Sequence, residues 1–173
     1  MMQRPTPIDE EIILDNTKYI ESDTDLKGII TDCNDYFAEI SRYTREELIG
    51  QPHNIVRHPD MPKIAFKILW DRLKAGQNIN LAVKNLAKDG RYYWVFTHFD
   101  FKKDINSGEI VGYVAYRKTI SKNVTDTLLP IYRKLVEIEK TEGMEGSERY
   151  LTKLLNEHDL TIDTLLDEIY KLY

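Results

Sequence analysis

Hydrophobic positions change period several times along the chain, and the changes mark its elements. Near the start, Tyr19-Ile20-Glu21-Ser22 and Ile29-Ile30-Thr31 are short strand-like runs. The turn-forming stretch Asp23 to Gly28 between them predicts a hairpin. From Asn34 the spacing turns helical, with Tyr36, Phe37 and Ile40 on one face. Thr44 and Glu47 make a capping box for a short second helix, which Gly50 ends. Pro52 to Pro62 holds three prolines and two histidines and is expected to be loop with at most one helical turn. Pro62 suits the first turn of a third helix carrying Ile64, Phe66, Ile68, Leu69 and Leu73, closed by Gly76.

After Gly76 the period becomes that of a strand: Ile79, Leu81 and Val83 alternate with Asn80, Ala82 and Lys84. Lys88-Asp89-Gly90 is a tight hairpin signal. Tyr92 to Phe101 is rich in aromatic and β-branched residues, Asp104 to Glu109 turns again, and Ile110 to Tyr116 is the last strand. The order β-β-α-α-α-β-β-β predicts an α+β fold, an antiparallel sheet with helices inserted between its strands. Residues 1–16 form a polar lead-in whose Ile12-Ile13-Leu14 docks on the main domain, and residues 17–120 form the domain itself. Residues 121–173 form a helical extension. Its first helix has an apolar seam at Val124, Leu128, Ile131, Leu135 and Ile138, with Pro130 inside it and a break at Gly143 to Ser147. Two shorter helices follow, around Glu148 to Glu157 and Thr161 to Leu172, and the last presents Ile162, Leu165, Leu166, Ile169 and Tyr173 on one face.

Composition narrows the function classes. At 173 residues and 42% hydrophobic content the chain supports a real core. Its net charge of −5 argues against general binding to nucleic acid or anionic lipid. The tail, with seven basic and eleven acidic residues, carries −4 of that charge. The single cysteine, Cys33, makes no intrachain disulfide and no cysteine-based metal site, which fits a reducing, cytoplasmic setting. No apolar run approaches the ~20 residues that span a bilayer, so membrane association is expected only through a partner. No nucleophile–base pair, phosphate-cradling glycine loop or kinase signature is present, and a G-x-G-x-x-G dinucleotide motif is absent. A non-enzymatic role is expected.

The most specific feature is the run Gly50-Gln51-Pro52-His53-Asn54-Ile55-Val56-Arg57-His58-Pro59-Asp60-Met61-Pro62. It resembles the signature of PAS domains of the Aer class of energy-taxis receptors. Asn34-Asp35-Tyr36-Phe37 and Ser41-Arg42-Tyr43-Thr44 resemble the segment before that signature, and Val83-Lys84-Asn85, Lys88-Asp89-Gly90 and Tyr93-Trp94-Val95 the strands after it. The resemblance covers roughly residues 17–118 and implies a PAS fold with a five-stranded antiparallel sheet. It also implies bound FAD, a sensing rather than catalytic role, and a membrane-bound methyl-accepting chemotaxis-type receptor as partner. Lacking a membrane span, the chain resembles the split, soluble kind (the CetB type). One departure stands out: many members carry a tryptophan where this chain reads Asn78-Ile79-Asn80-Leu81, which removes a stacking partner for a flavin ring.

FAD joins a dianionic pyrophosphate to a flat ring, so its site needs cations at one end and an apolar slot at the other. Arg57 offers a permanent forked donor, and His58 a donor that a phosphate would make cationic. Both could instead belong to a surface loop salt-bridged to Asp60. Asn85 and Asn34 offer carboxamides that suit a flavin edge, although Asn34 equally suits a helix N-cap. Trp70 and Trp94 are slot walls or plain core. His53 and Asp60 complete the candidate set through the resemblance. The rival reading is an interaction module without cofactor, or one holding haem through His58 or His98. A second copy of the chain is an alternative partner, docked through the apolar stripes of the tail.

Overall fold

The computed structural model describes residues 4–171; Leu172 and Tyr173, expected at the end of the last helix, lie outside the described residues. The chain forms β1 (Ile20–Asp25), β2 (Ile30–Cys33), α1 (Asp35–Ser41), α2 (Arg45–Leu48), α3 (Lys63–Lys74), β3 (Ile79–Leu86), β4 (Tyr92–Lys103), β5 (Ile110–Lys118), α4 (Lys122–Glu157) and α5 (Ile162–Lys171). A single 3-10 turn, His53–Val56, sits inside the proline-rich run. The strands make one antiparallel sheet in the order β2-β1-β5-β4-β3.

Local chemistry sets the elements. Asn34 caps α1, its Oδ1 accepting from the Phe37 amide at 3.1 Å. The capping box at Thr44 and Glu47 forms with both bonds. Gly90 turns the β3–β4 hairpin at φ +93, and a Cβ there would collide with the Thr6 carbonyl. That close approach lets the lead-in run beside the hairpin, with Ile12 N donating to Tyr92 O at 2.7 Å and Tyr92 N to Glu10 O at 3.0 Å. Ile12 is buried and Ile13 exposed, so only part of the Ile12-Ile13-Leu14 run docks deeply.

Strand register assigns the two faces of the sheet. Val83, Asn85, Tyr93, Thr97, Ala115, Arg117, Ser22 and Thr24 share the inner face, since they pair across the ladders in alternate steps. Helices α1 to α3 close over this face. The tail covers the other face: Tyr132 Oη donates to Ala82 O at 2.9 Å, and its ring stacks on Trp94 at 6.2 Å. Val124, Leu128, Tyr132 and Ile169 of the tail join the same core cluster as Phe37, Val83 and Val95. Helix α4 runs through Pro130, which is exposed, and the helix changes course only at Gly143, with φ 68 and ψ −173. The break expected over Gly143 to Ser147 is thus one residue wide, because the residues after it are again helical.

Candidate functional site

Between the inner sheet face and α3 lies a pocket of about 250 Å³, partly open to solvent. Its walls follow from the pleat and the helix period. The sheet contributes Ser22, Val83, Asn85, Phe99, Tyr113 and Arg117, and α3 contributes Phe66, Leu69, Trp70 and Leu73. Trp70 lies across Gly28, where a Cβ would stand 3.2 Å from its ring, and meets the Tyr113 ring edge-on at 5.5 Å. Four aromatic side chains thus line the slot although Ile79 does not; Ile79 packs instead with Leu69, Leu73 and Tyr113 behind it.

Consecutive residues of the proline-rich run point opposite ways, and that divides the expected site. Arg57 bridges to Asn85 on the sheet edge and faces the pocket, its guanidinium 3.8 Å from the Phe66 ring centroid. It is the α3 ring, not Asp60, that Arg57 meets. Its Nε is buried with no hydrogen-bond partner among the described residues, as is Asn85 Nδ2. The Asn85 carboxamide lies close enough to the Tyr93 hydroxyl to temper the rise that burial causes in its pKa, yet the two form no hydrogen bond of normal geometry. Orphaned buried donors are uncommon, and two in one pocket mark a place where a ligand would supply acceptors.

His58 and Asp60 face away from the pocket. The His58 ring is buried edge-on to Tyr92, and its Nδ1 accepts from the Asp60 amide at 3.0 Å. Burial first, then Lys84, pushes its pKa down to about 4, so near neutrality it is uncharged. Asp60 sits 2.8 Å from Lys84 Nζ and 3.2 Å from Arg133 of α4. Burial works to raise its pKa, but Lys84, His58 and Arg133 together hold it below the usual carboxylate range. These two residues tie the loop to β3 and the tail rather than line the cavity. Asn34 is fully used: Oδ1 accepts from the Phe37 and Glu21 amides at 3.1 Å each, and Nδ2 donates to Tyr19 O at 2.9 Å. Trp94 and His98 lie on the opposite sheet face; His98 Nδ1 meets Asn80 Oδ1 at 2.7 Å. No group of three or more potential metal ligands occurs among the described residues.

His53 does line the pocket, stacked on Phe37 at 5.6 Å. Burial, then the positive field of Arg117, pushes its pKa down to about 3. Sequence reasoning missed Arg117. That residue is 3% exposed on β5, and burial lowers its pKa to about 10. The sequence pattern ends the strand at Tyr116 and leaves Arg117 outside it, whereas β5 runs to Lys118; the parity of Arg117 with Tyr113 and Ala115 is the signal that places it inward. Among the pocket residues are three cations, Lys27, Arg57 and Arg117, and no carboxylate.

Residues 30–116 match the PAS-fold family. The chain belongs to that family. A PAS region 40% identical over 133 residues occurs in the aerotaxis receptor of Escherichia coli (strain K12), covering 77% of this chain and 25% of the receptor. The biofilm dispersion protein BdlA of Pseudomonas aeruginosa is 28% identical over 102 residues, 58% of this chain and 24% of that protein. The chain thus spans about a quarter of the length of these curated relatives. Among solved structures, a PAS domain from Colwellia psychrerythraea superposes with a TM-score of 0.50 at 25% identity, over 60% of this chain and 87% of that one. A light-oxygen-voltage domain superposes with a TM-score of 0.56 at 19% identity, over 65% and 83%. The α+β architecture read from the sequence is therefore the PAS architecture.

Proposed function

We propose that this PAS domain is a non-catalytic sensor that holds FAD between α3 and the inner sheet face and reports its redox state to a separate chemotaxis-type receptor. The observation that carries the reading is the pocket's composition: four aromatic walls, two buried donors without partners, and three cations unopposed by any lining carboxylate. That set fits a flat, acceptor-rich ring attached to a polyanion. A volume of about 250 Å³, below the ~300–1,000 Å³ of pockets that enclose a whole ligand, suits the ring inside with the phosphates at the open side. The similarity to the aerotaxis receptor supports the signalling role.

A bound flavin would supply reversible electron uptake. The chain's own contribution is orientation and readout. Asn85 presents a carboxamide from the sheet, and a carboxamide offers donor or acceptor by rotation. A state-dependent contact of this kind is what shifts a signalling equilibrium. Arg57, clamped over Phe66, is suited to the anionic end. No helix among the described residues is long and apolar enough to cross a membrane, so we place any membrane contact in the receptor. Among the described residues the tail's main stripes are already turned inward, with Val124, Leu128, Leu135 and Ile169 buried, which leaves its acidic outer surface for a partner.

The test is an equilibrium titration of the apo-protein with FAD, followed by flavin fluorescence, in wild type and Arg57→Ala. A hydrogen bond to a charged group contributes about 1.5–3 kcal/mol, so Arg57→Ala should weaken FAD roughly tenfold to hundredfold while the circular dichroism spectrum is unchanged. Equal FAD affinity in the two proteins would remove Arg57 from the site.

A further inference from the structure

At the inner end of the pocket, Arg117 is a buried cation with an unusual set of neighbours. Its Nη1 donates to Ser22 Oγ at 3.0 Å and to Ala115 O at 3.4 Å, and its Nη2 to His53 Nε2 at 2.8 Å. Every one of these acceptors is neutral. No carboxylate forms an ion pair with it among the described residues, although the chain has 29 acidic residues to draw on. His53 Nε2 also lies 3.0 Å from Ser22 Oγ, so the imidazole serves as an acceptor at that nitrogen and stays uncharged. A buried charge without an opposite charge is a net cost to the fold unless something else compensates it.

The position is as informative as the charge. Arg117 lines the pocket together with Arg57 and Lys27, but it stands on β5 beside β1, whereas Arg57 stands at the β3 edge. One strand, β4, lies between β5, which carries Arg117, and β3, whose edge Arg57 bridges. The pocket therefore has two cationic poles, and His53, bonded to Arg117 at 2.8 Å, feels the positive charge of both. A ligand with a single anionic group would engage one pole and leave the other.

We propose that Arg117 recognises the electron-rich carbonyl edge of the ligand's ring, and that with Arg57 it restricts the pocket to ligands carrying acceptors at both ends. This inference rests on the flavin reading and extends it to a residue and a selectivity. Ser22 and the Ala115 carbonyl hold the guanidinium in place, and His53, kept neutral, positions it without competing for the ligand's negative charge. Arg117 is a binding residue retained at the expense of stability.

Two properties separate this from a structural role. The contact is to the ring, which FAD and riboflavin share, while the Arg57 contact is to phosphates that riboflavin lacks. In the empty protein the charge meets neutral acceptors and the Phe37 ring, 5.5 Å from its guanidinium, but no carboxylate, so its removal should not destabilise the fold. The experiment uses the full chain, Arg117→Met and Arg117→Lys, with FAD and riboflavin as probes in fluorescence titrations, and thermal unfolding without flavin. Arg117→Met should weaken both probes by the same factor, about tenfold to hundredfold, and melt at or above the wild-type temperature. Arg117→Lys should recover part of the affinity for both. Unchanged riboflavin affinity in Arg117→Met, or a loss confined to FAD, overturns the assignment. So does an Arg117→Met chain that melts lower or does not fold, because Arg117 is then a structural residue. If wild type binds neither probe, the flavin reading itself fails and this inference falls with it; if wild type binds and Arg117→Met is unaffected, only the inference fails.

Discussion

At the scale of single residues, the proline-rich run shows how direction decides role. Arg57 and His58 are neighbours in sequence, yet the extended backbone sends one into the pocket and the other behind it. The motif was legible, but the parity of its side chains was not, since no alternation of apolar residues marks a segment of prolines and histidines. The same run makes a pH prediction. The pKa of His53 falls to about 3 and that of His58 to about 4 in the fold, both from burial above all. An unfolded histidine titrates near 6.5. Below about 6.5 the unfolded chain binds two protons that the folded chain refuses, so stability is highest above that pH and falls as the solution is acidified. The slope reaches at most about 1.4 kcal/mol per pH unit for each histidine. Urea unfolding at pH 7.5 and pH 5.5, a window in which most carboxylates stay ionised, should show this loss, and His53→Gln should reduce it. A wild-type stability that does not change across the window would contradict the buried, neutral state of both rings.

At the scale of elements, a strand end and a helix cap escape local pattern for different reasons. The turn-forming residues from Asp23 to Gly28 predict that β1 ends at Ser22, yet the strand continues to Asp25 and takes in the polar Ser22 and Thr24. Those two polar residues face inward and pair with Ala115 and Tyr113 at the pocket. Local pattern fails where a site replaces core, which is where such failures belong. Helix α3 shows a different limit. Pro62 provides no side-chain cap, and nothing nearby in sequence supplies one. The cap comes from α4: Glu139 accepts from the Lys63 amide at 2.8 Å and the Ile64 amide at 2.9 Å, and Ser147 Oγ donates to it at 2.9 Å. A carboxylate at a helix N-terminus satisfies orphan amides and opposes the helix dipole. A cap from 75 residues away has no local sequence signal. Because α3 carries Phe66 and Trp70 into the pocket, this contact also joins the tail to the binding site. Glu139→Ala should cost about 1–3 kcal/mol of stability, lower for Glu139→Gln, and should lower hydrogen-exchange protection at the first turn of α3. Unaltered stability together with unaltered exchange there would show that the cap is not needed.

At the scale of the whole molecule, charge is segregated. The chain is acidic overall and the tail especially so, yet the pocket holds cations alone. The period changes in the sequence were enough to give the α+β order, because each element has a clear hydrophobic face. They did not reveal which sheet face the tail covers, since β3 and β4 bury both faces and so show little alternation: burial in β3 reads as nearly continuous. Lys84, buried on the tail side against Asp60 and over the Tyr92 ring, is a charge whose place only the folded arrangement explains. The tail thus shields one face of the sheet while α3 and the inner face frame the pocket, and Glu139 and Asp60 link the two halves. The central claim is that this frame holds a flavin. Extraction of the purified protein under denaturing conditions, with the released small molecule identified by absorption and mass, tests it most directly: the account predicts a yellow protein that releases FAD in near-equal amount, whereas a Soret band, or a colourless protein that takes up no added FAD, would contradict it.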